Sequence, residues 1–159
     1  MTQKTKTAIL VAAIITVSGL AVYYAYPEKP LPKNAAVTSI VVERSKHRMD
    51  VFSGNTLLKN YSVSLGRIAS DMHGNTWDNI TPTGSFVIDG KLSDSGYHKA
   101  LTISYGNEVE IHGIKNGLGF LGKFQRWIDW TRGCIAVTDQ EIDELYRDVP
   151  VGTPIVIKN

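Results

Sequence analysis

Residues 8–25 carry no charge, and this run of 18 constrains the chain more than any other feature. As a helix rising about 1.5 Å per residue, it is long enough to cross a hydrocarbon core of about 30 Å with little tilt. Lys4 and Lys6 precede it, and Tyr23, Tyr24 and Tyr26 stand at its far end, the pattern of a basic inner flank and an aromatic interface. Gly19-Leu20-Ala21 offers the small residues a signal peptidase inspects, so a cleaved signal segment is the rival to a transmembrane anchor. The run is long for a signal core and continues past that site, which favours a retained anchor over residues 1–26. On either reading the remainder is outside the cytoplasm: on the periplasmic side of a cell envelope if the anchor stays, secreted if it is cut.

Pro27, Pro30 and Pro32 mark residues 27–36 as a short stiff linker, expected to hold the domain off the membrane. One domain, residues 37–159, is then all the length allows. Residues 1–36 hold Lys4, Lys6, Lys29 and Lys33 against Glu28, which leaves 13 basic and 14 acidic residues for the domain. A nucleic-acid module concentrates Lys and Arg on its body to displace phosphate counterions, so that class is disfavoured. With Cys134 the single cysteine, an intramolecular disulfide and a cysteine-rich zinc site are both excluded.

The domain's pattern is mostly strand. Ser39–Glu43, Met49–Phe52 and Leu57–Leu65 are separated by polar turns and read as consecutive antiparallel strands, Tyr61, Val63 and Leu65 alternating with polar residues. Further strands are expected at Gly84–Asp89, Ala100–Ser104, Glu108–His112 and Thr153–Lys158. Alternation puts His112 on the face of Glu108 and Glu110, opposite Val109 and Ile111, and so toward a cleft or solvent. One helix is well marked: Thr138-Asp139-Gln140-Glu141 is a capping box, and Ile142, Leu145, Tyr146 and Val149 follow at helical spacing. The stretch 67–83 reads as a long loop of the kind that serves a site. The expected fold is mainly β, a mixed β-sandwich with one capped helix after Cys134.

A lone cysteine is more often buried filler than chemistry. Here Gly133 precedes it and a capped helix follows, so the turn can aim backbone amides at a developing oxyanion, and Arg132 adds a positive charge that would favour a thiolate unless its side chain points to solvent, which is equally open to it. His112, followed by Gly113, is the residue suited to take a thiol proton and return it to a leaving amine. Taken alone it would pass as a structural histidine, and His47, His73 and His98 are read that way, since none has the spacing of a metal pair. No metal or organic cofactor is needed by such a set.

Thr81-Pro82-Thr83-Gly84, Ile111-His112-Gly113, Thr131-Arg132-Gly133-Cys134-Ile135 and Gly152-Thr153-Pro154-Ile155-Val156-Ile157, in that order, resemble the L,D-transpeptidase catalytic domain of the YkuD type over about residues 38–158. Tyr61–Gly66 and Ala100–Tyr105 agree. The resemblance implies that Cys134 attacks the third-residue carbonyl of a peptidoglycan stem tetrapeptide, expels D-alanine and leaves a thioester. It implies His112 as base, oriented by the backbone carbonyl of Gly113, and oxyanion donors around Gly133 and Cys134. Thr131, Arg132 and Trp130 would shape the acyl-donor site. The acceptor it implies is an amine on a second stem or on a wall-linked lipoprotein. Water as acceptor gives the alternative, an L,D-carboxypeptidase or an amidase that releases wall-linked protein. Carbapenem-type β-lactams are expected to acylate Cys134. Ala136 departs from the Arg or Asn that many members carry two residues after the cysteine, which puts substrate positioning in question.

Trp127, Trp130, Phe120 and Phe124 lie between the two motifs, as either a flexible lid or core packing, with Gly113, Gly117, Gly119 and Gly122 allowing hinge motion. These glycines lack the strand-turn-helix setting of a nucleotide site. A non-catalytic wall-binding module on a membrane stalk is the reading from another class, and it requires an unreactive thiol.

Overall fold

The computed structural model describes residues 1–26, 28–70, 76–106 and 109–159. Pro27, His73 and Glu108 lie outside the described residues, as does the middle of the 67–83 stretch. Helix α1 (Gln3–Ala25) opens at Thr2, whose hydroxyl accepts the Thr5 N–H at 3.3 Å, and none of its residues is buried. It is long and apolar enough to cross a membrane.

The strands follow as β1 (Ser39–Glu43), β2 (Arg48–Ser53), β3 (Thr56–Ser62), β4 (Ile68–Ser70), β5 (Thr76–Asp78), β6 (Gly84–Leu92), β7 (Ala100–Ile103), β8 (Glu110–His112) and β9 (Ile135–Ala136), then helix α2 (Asp139–Asp148) and β10 (Pro154–Lys158). Among the described residues eight strands make one sheet in the order β3-β2-β1-β10-β6-β7-β8-β9, while β4 and β5 pair with each other. The pairs β1–β10 and β8–β9 are parallel and the others antiparallel. The mainly β, mixed architecture is thus as expected, with a difference in how its layers arise. Beyond β3 the chain runs on to bridge Ser64 with Ala136 and Gly66 with Thr131, so the two edges of a single sheet meet and the sheet curls over its own core. The pairing of β9 and the β4–β5 pair are too short to announce themselves by periodicity.

The inward positions are those the alternation predicts. Ile40 and Val42 of β1, Met49 and Val51 of β2, Tyr61, Val63 and Leu65, and Ile155 and Ile157 of β10 are all buried, each large aliphatic side chain worth about 1.5–3 kcal/mol of transfer free energy. Against them α2 packs Ile142, Leu145 and Val149. The helix starts as its capping box requires: the Thr138 hydroxyl accepts the Glu141 N–H while Glu141 accepts the Thr138 N–H at 3.0 Å.

Two findings go beyond the helical pattern. Glu141, Glu144 and Asp148 of α2 are buried as well, which is tolerable only because each charge is partnered. One oxygen of Glu144 accepts from Lys59 at 2.7 Å, from the Tyr61 hydroxyl at 3.2 Å and from the Leu31 N–H at 3.0 Å. Arg126 bridges Glu141 and Glu28, both at 2.7 Å. The second finding corrects the linker: Leu31 is 1% exposed and belongs to the core. Residues 28–36 are therefore not a free tether, because Leu31 has a place in the domain's core and its amide has a carboxylate there.

Candidate active site

The parallel pairing of β8 with β9 sets the site. Its register opposes Ile111 to Ile135 and His112 to Ala136, both isoleucines pointing into the core. Side chains alternate along a strand, so Cys134, one residue before Ile135, falls on the same face as Glu110 and His112. The topology thus brings together the two residues that the sequence reading joined from 22 positions apart.

His112 is 2% exposed. The expectation that it faces a cleft or solvent needs correcting: its strand face is covered by Tyr97, with ring centroids 4.3 Å apart, and by Trp130 at 5.6 Å. Its Nδ1 lies 2.6 Å from the Gly113 carbonyl oxygen. A carbonyl only accepts, so Nδ1 carries the proton and Nε2 of the neutral ring is left with the lone pair. Burial pushes the imidazole below its ordinary value, and the Gly113 carbonyl pulls it partly back.

Cys134 is half-buried. Burial pushes its thiol up, a hydrogen bond with the Glu110 backbone pulls it down, and the Glu110 carboxylate raises it again. That carboxyl is itself pushed up by burial. Arg132 is exposed; burial, lowering the imidazole and raising the thiol, favours the neutral form of each.

The backbone of Cys134 is fixed from below. Its carbonyl accepts the Thr131 hydroxyl at 2.7 Å and the Thr81 hydroxyl at 3.3 Å, and Thr81 accepts the Gly66 N–H at 2.9 Å. Thr131 is 5% exposed, placing it beneath the nucleophile turn rather than on the cleft wall. Gly133 has φ 106°, a left-handed conformation that side chains rarely adopt. Gly66 is demanded by contact instead: a Cβ there would sit 1.8 Å from the Asn79 oxygen and 2.5 Å from the Gly133 nitrogen.

Neither Thr81 nor Gly66 was given a role by the sequence, although both lie in stretches that carry the resemblance. Asp139, marked in the sequence only as part of a capping box, is a third contributor to the site. It accepts the Ile114 N–H at 2.8 Å, and a Cβ on Gly113 or Gly119 would meet its carboxylate at 2.8 and 2.4 Å. Those two glycines serve close packing against α2, where hinge motion had been expected. Their signal was the acidic first position of a capped helix, legible only once that helix is known to face the His-Gly turn.

The aromatic segment is a kinked 3₁₀ stretch, Gly119–Trp127. It is pinned at its far end, where the Gln125 carbonyl accepts the Ser64 hydroxyl at 2.7 Å, the Gln125 side chain accepts the Trp130 indole N–H at 3.0 Å, and Asp129 accepts the Leu65 N–H at 2.8 Å. Trp130 thus belongs to the packed wall of the site, while Phe120 and Trp127 are exposed. Beside Trp130 a mostly apolar cleft of about 390 Å³ is lined by Ile114, Leu118, Leu121, Phe124, Ile128 and Trp130 among others. Ala136 is fully buried and presents no polar group to the site. His47 pairs with Asp129 and His98 with Asp143, each at 2.9 Å. Among the described residues no group of three or more His, Cys, Asp or Glu could hold a metal ion.

The family model for the L,D-transpeptidase catalytic domain, YkuD, matches residues 37–157. A Bacillus subtilis (strain 168) protein, YqjB, whose name assigns it to the L,D-transpeptidases, is 27% identical over 148 residues, spanning 82% of this chain and 74% of its own. Among solved structures, an L,D-transpeptidase from Mycobacterium smegmatis superposes with a TM-score of 0.58 at 21% identity, over 78% of this chain and 59% of that one. L,D-transpeptidase 3 of Mycobacterium tuberculosis, in complex with a faropenem-derived adduct, gives 0.58 at 17% over 78% and 60%. The enzyme of Xylanimonas cellulosilytica gives 0.54 at 17% over 82% and 64%. The chain therefore spans about three fifths of the length of those structures, and what it shares with them is the fold.

Proposed function

The chain belongs to the L,D-transpeptidase catalytic-domain family, and from that premise we propose that it is an exported cysteine acyltransferase acting on peptidoglycan stem tetrapeptides. Membership supports a peptidoglycan-modifying enzyme of the cell envelope; the acyl-transfer route is our reading of the site. The observation that carries it is the Nδ1 to Gly113 bond of 2.6 Å, and the register of Ile111 with Ile135, continued one residue back by alternation, supports Cys134 on the face of His112.

With both groups neutral at rest, proton transfer accompanies attack. Nε2 of His112 takes the thiol proton as Sγ bonds to the carbonyl carbon of the third stem residue. Amides at Gly133 and Cys134 hold the oxyanion. Collapse breaks the peptide bond, the amine of D-alanine leaves with the proton from His112, and a thioester stays on Cys134. An acceptor amine then attacks that carbonyl while His112 takes its proton, and the thiol is restored as the new amide forms. The Gly113 carbonyl does the orienting work that a carboxylate does in other triads. Thr131 and Thr81 act as positioning residues, since they touch the Cys134 backbone and not the reacting atoms.

The test is product analysis. The full chain in detergent, incubated with disaccharide-tetrapeptides, is expected to give dimers with loss of D-alanine, and none with Cys134→Ala. Shortened monomers without dimers, even with added amine, would replace the amine by water as acceptor. Turnover retained by Cys134→Ala would end the reading.

A further inference from the structure

Four large apolar side chains crowd one exposed stretch: Phe120 is 68% exposed, Ile128 64%, Trp127 59% and Leu118 41%. Single exposed apolar residues are ordinary, whereas a contiguous set marks a surface that meets something apolar. What it meets is indicated by its neighbour. The Tyr24 hydroxyl, in the last turn of α1, donates to the Phe120 carbonyl at 2.6 Å, and its ring stacks on Phe124 at 5.3 Å. Phe124 in turn meets Trp127 edge-on at 4.9 Å, and Lys123 donates to the carbonyls of Tyr23, at 3.3 Å, and Tyr26.

In a spanning helix the terminal tyrosines lie at headgroup level. These contacts hold the 118–128 stretch at that same level.

We infer that Leu118, Phe120, Trp127 and Ile128 seat the domain in the headgroup–acyl boundary of the bilayer that α1 crosses. The domain rests on the membrane instead of standing off it, and the apolar cleft, which shares Leu118 and Ile128 with this surface, opens at the lipid. The inference rests on α1 being a retained span, and is independent of the chemistry at Cys134.

The test uses the full chain in phosphatidylcholine vesicles whose lipids carry bromine at shallow or deep acyl positions. Trp127→Phe is compared with the parent, and the difference isolates Trp127 from Trp77 and Trp130. Shallow bromine is expected to quench the parent more than deep bromine, and Trp127→Phe to lose that quenchable fraction. Equal quenching of parent and variant, with the chain still retained after a carbonate wash, overturns the seating. Release of the chain by the wash overturns the anchor and the inference with it.

Discussion

His112 is buried with its lone pair committed to Nε2, so acid should stop the reaction by protonating it. Because burial lowers its pKa, the acid limb of kcat/KM is expected below the ordinary imidazole value of about 6.5. The same shift has a stability consequence. A histidine depressed in the folded state binds its proton more readily when unfolded, so stability falls as pH drops from about 6.5 toward the folded value. His112→Gln should remove that part of the pH dependence of Tm, and an unchanged profile would contradict the burial argument.

Glu110 gives a second residue-scale prediction. Its carboxylate raises a thiol already raised by burial, so Glu110→Gln should make alkylation of Cys134 at pH 8 faster. Slower alkylation would mean that the charge helps the thiolate instead. Here the residues were only partly legible in sequence. Alternation put Glu110 and His112 on one face, but the cover of Tyr97 and Trp130 depends on contacts between distant segments. Of the two orientations the sequence left open for Arg132, its exposure fits the one toward solvent, since a side chain next to a cysteine in sequence is free to point outward.

At the scale of elements, the nucleophile turn is clamped between two others. The extension of β3 passes so close to it that Gly66→Ala should cost about 1–3 kcal/mol by overpacking and impair acylation of Cys134 as well. A variant with parental Tm and parental acylation would show that the turn has room. On the other side, Asp139 holds the His-Gly turn to the start of α2. Asp139→Ala is expected to lower Tm, with loss of a part-buried hydrogen bond worth about 1 kcal/mol, and to lower kcat more than KM changes, because it loosens the base rather than the substrate. The elements themselves were mostly readable. The β1–β2–β3 meander, α2 with its capping box and β10 follow from period and caps, whereas β9, two residues long, exists only through its partners. The 119–127 stretch was hidden for a similar reason, since 3₁₀ turns rich in glycine carry no lasting period.

For the whole molecule, the curl of the sheet is what makes a site from residues scattered over half the chain. Edge meets edge at Ser64–Ala136 and Gly66–Thr131, just beside Cys134, so closure of the fold and construction of the site are one event. Sequence could supply the strands and the motifs but not this closure, which depends on pairings more than 60 residues apart. It also could not show that Leu31 enters the core, for an isolated leucine between prolines has no pattern to betray it.

The most direct test of the account is the intact mass of the full chain after brief exposure to disaccharide-tetrapeptide, with released D-alanine measured in parallel. An adduct confined to Cys134, formed in step with D-alanine release and absent from Cys134→Ala, is the predicted result. Release of D-alanine without dependence on Cys134, or neither adduct nor release from a folded chain, would contradict it.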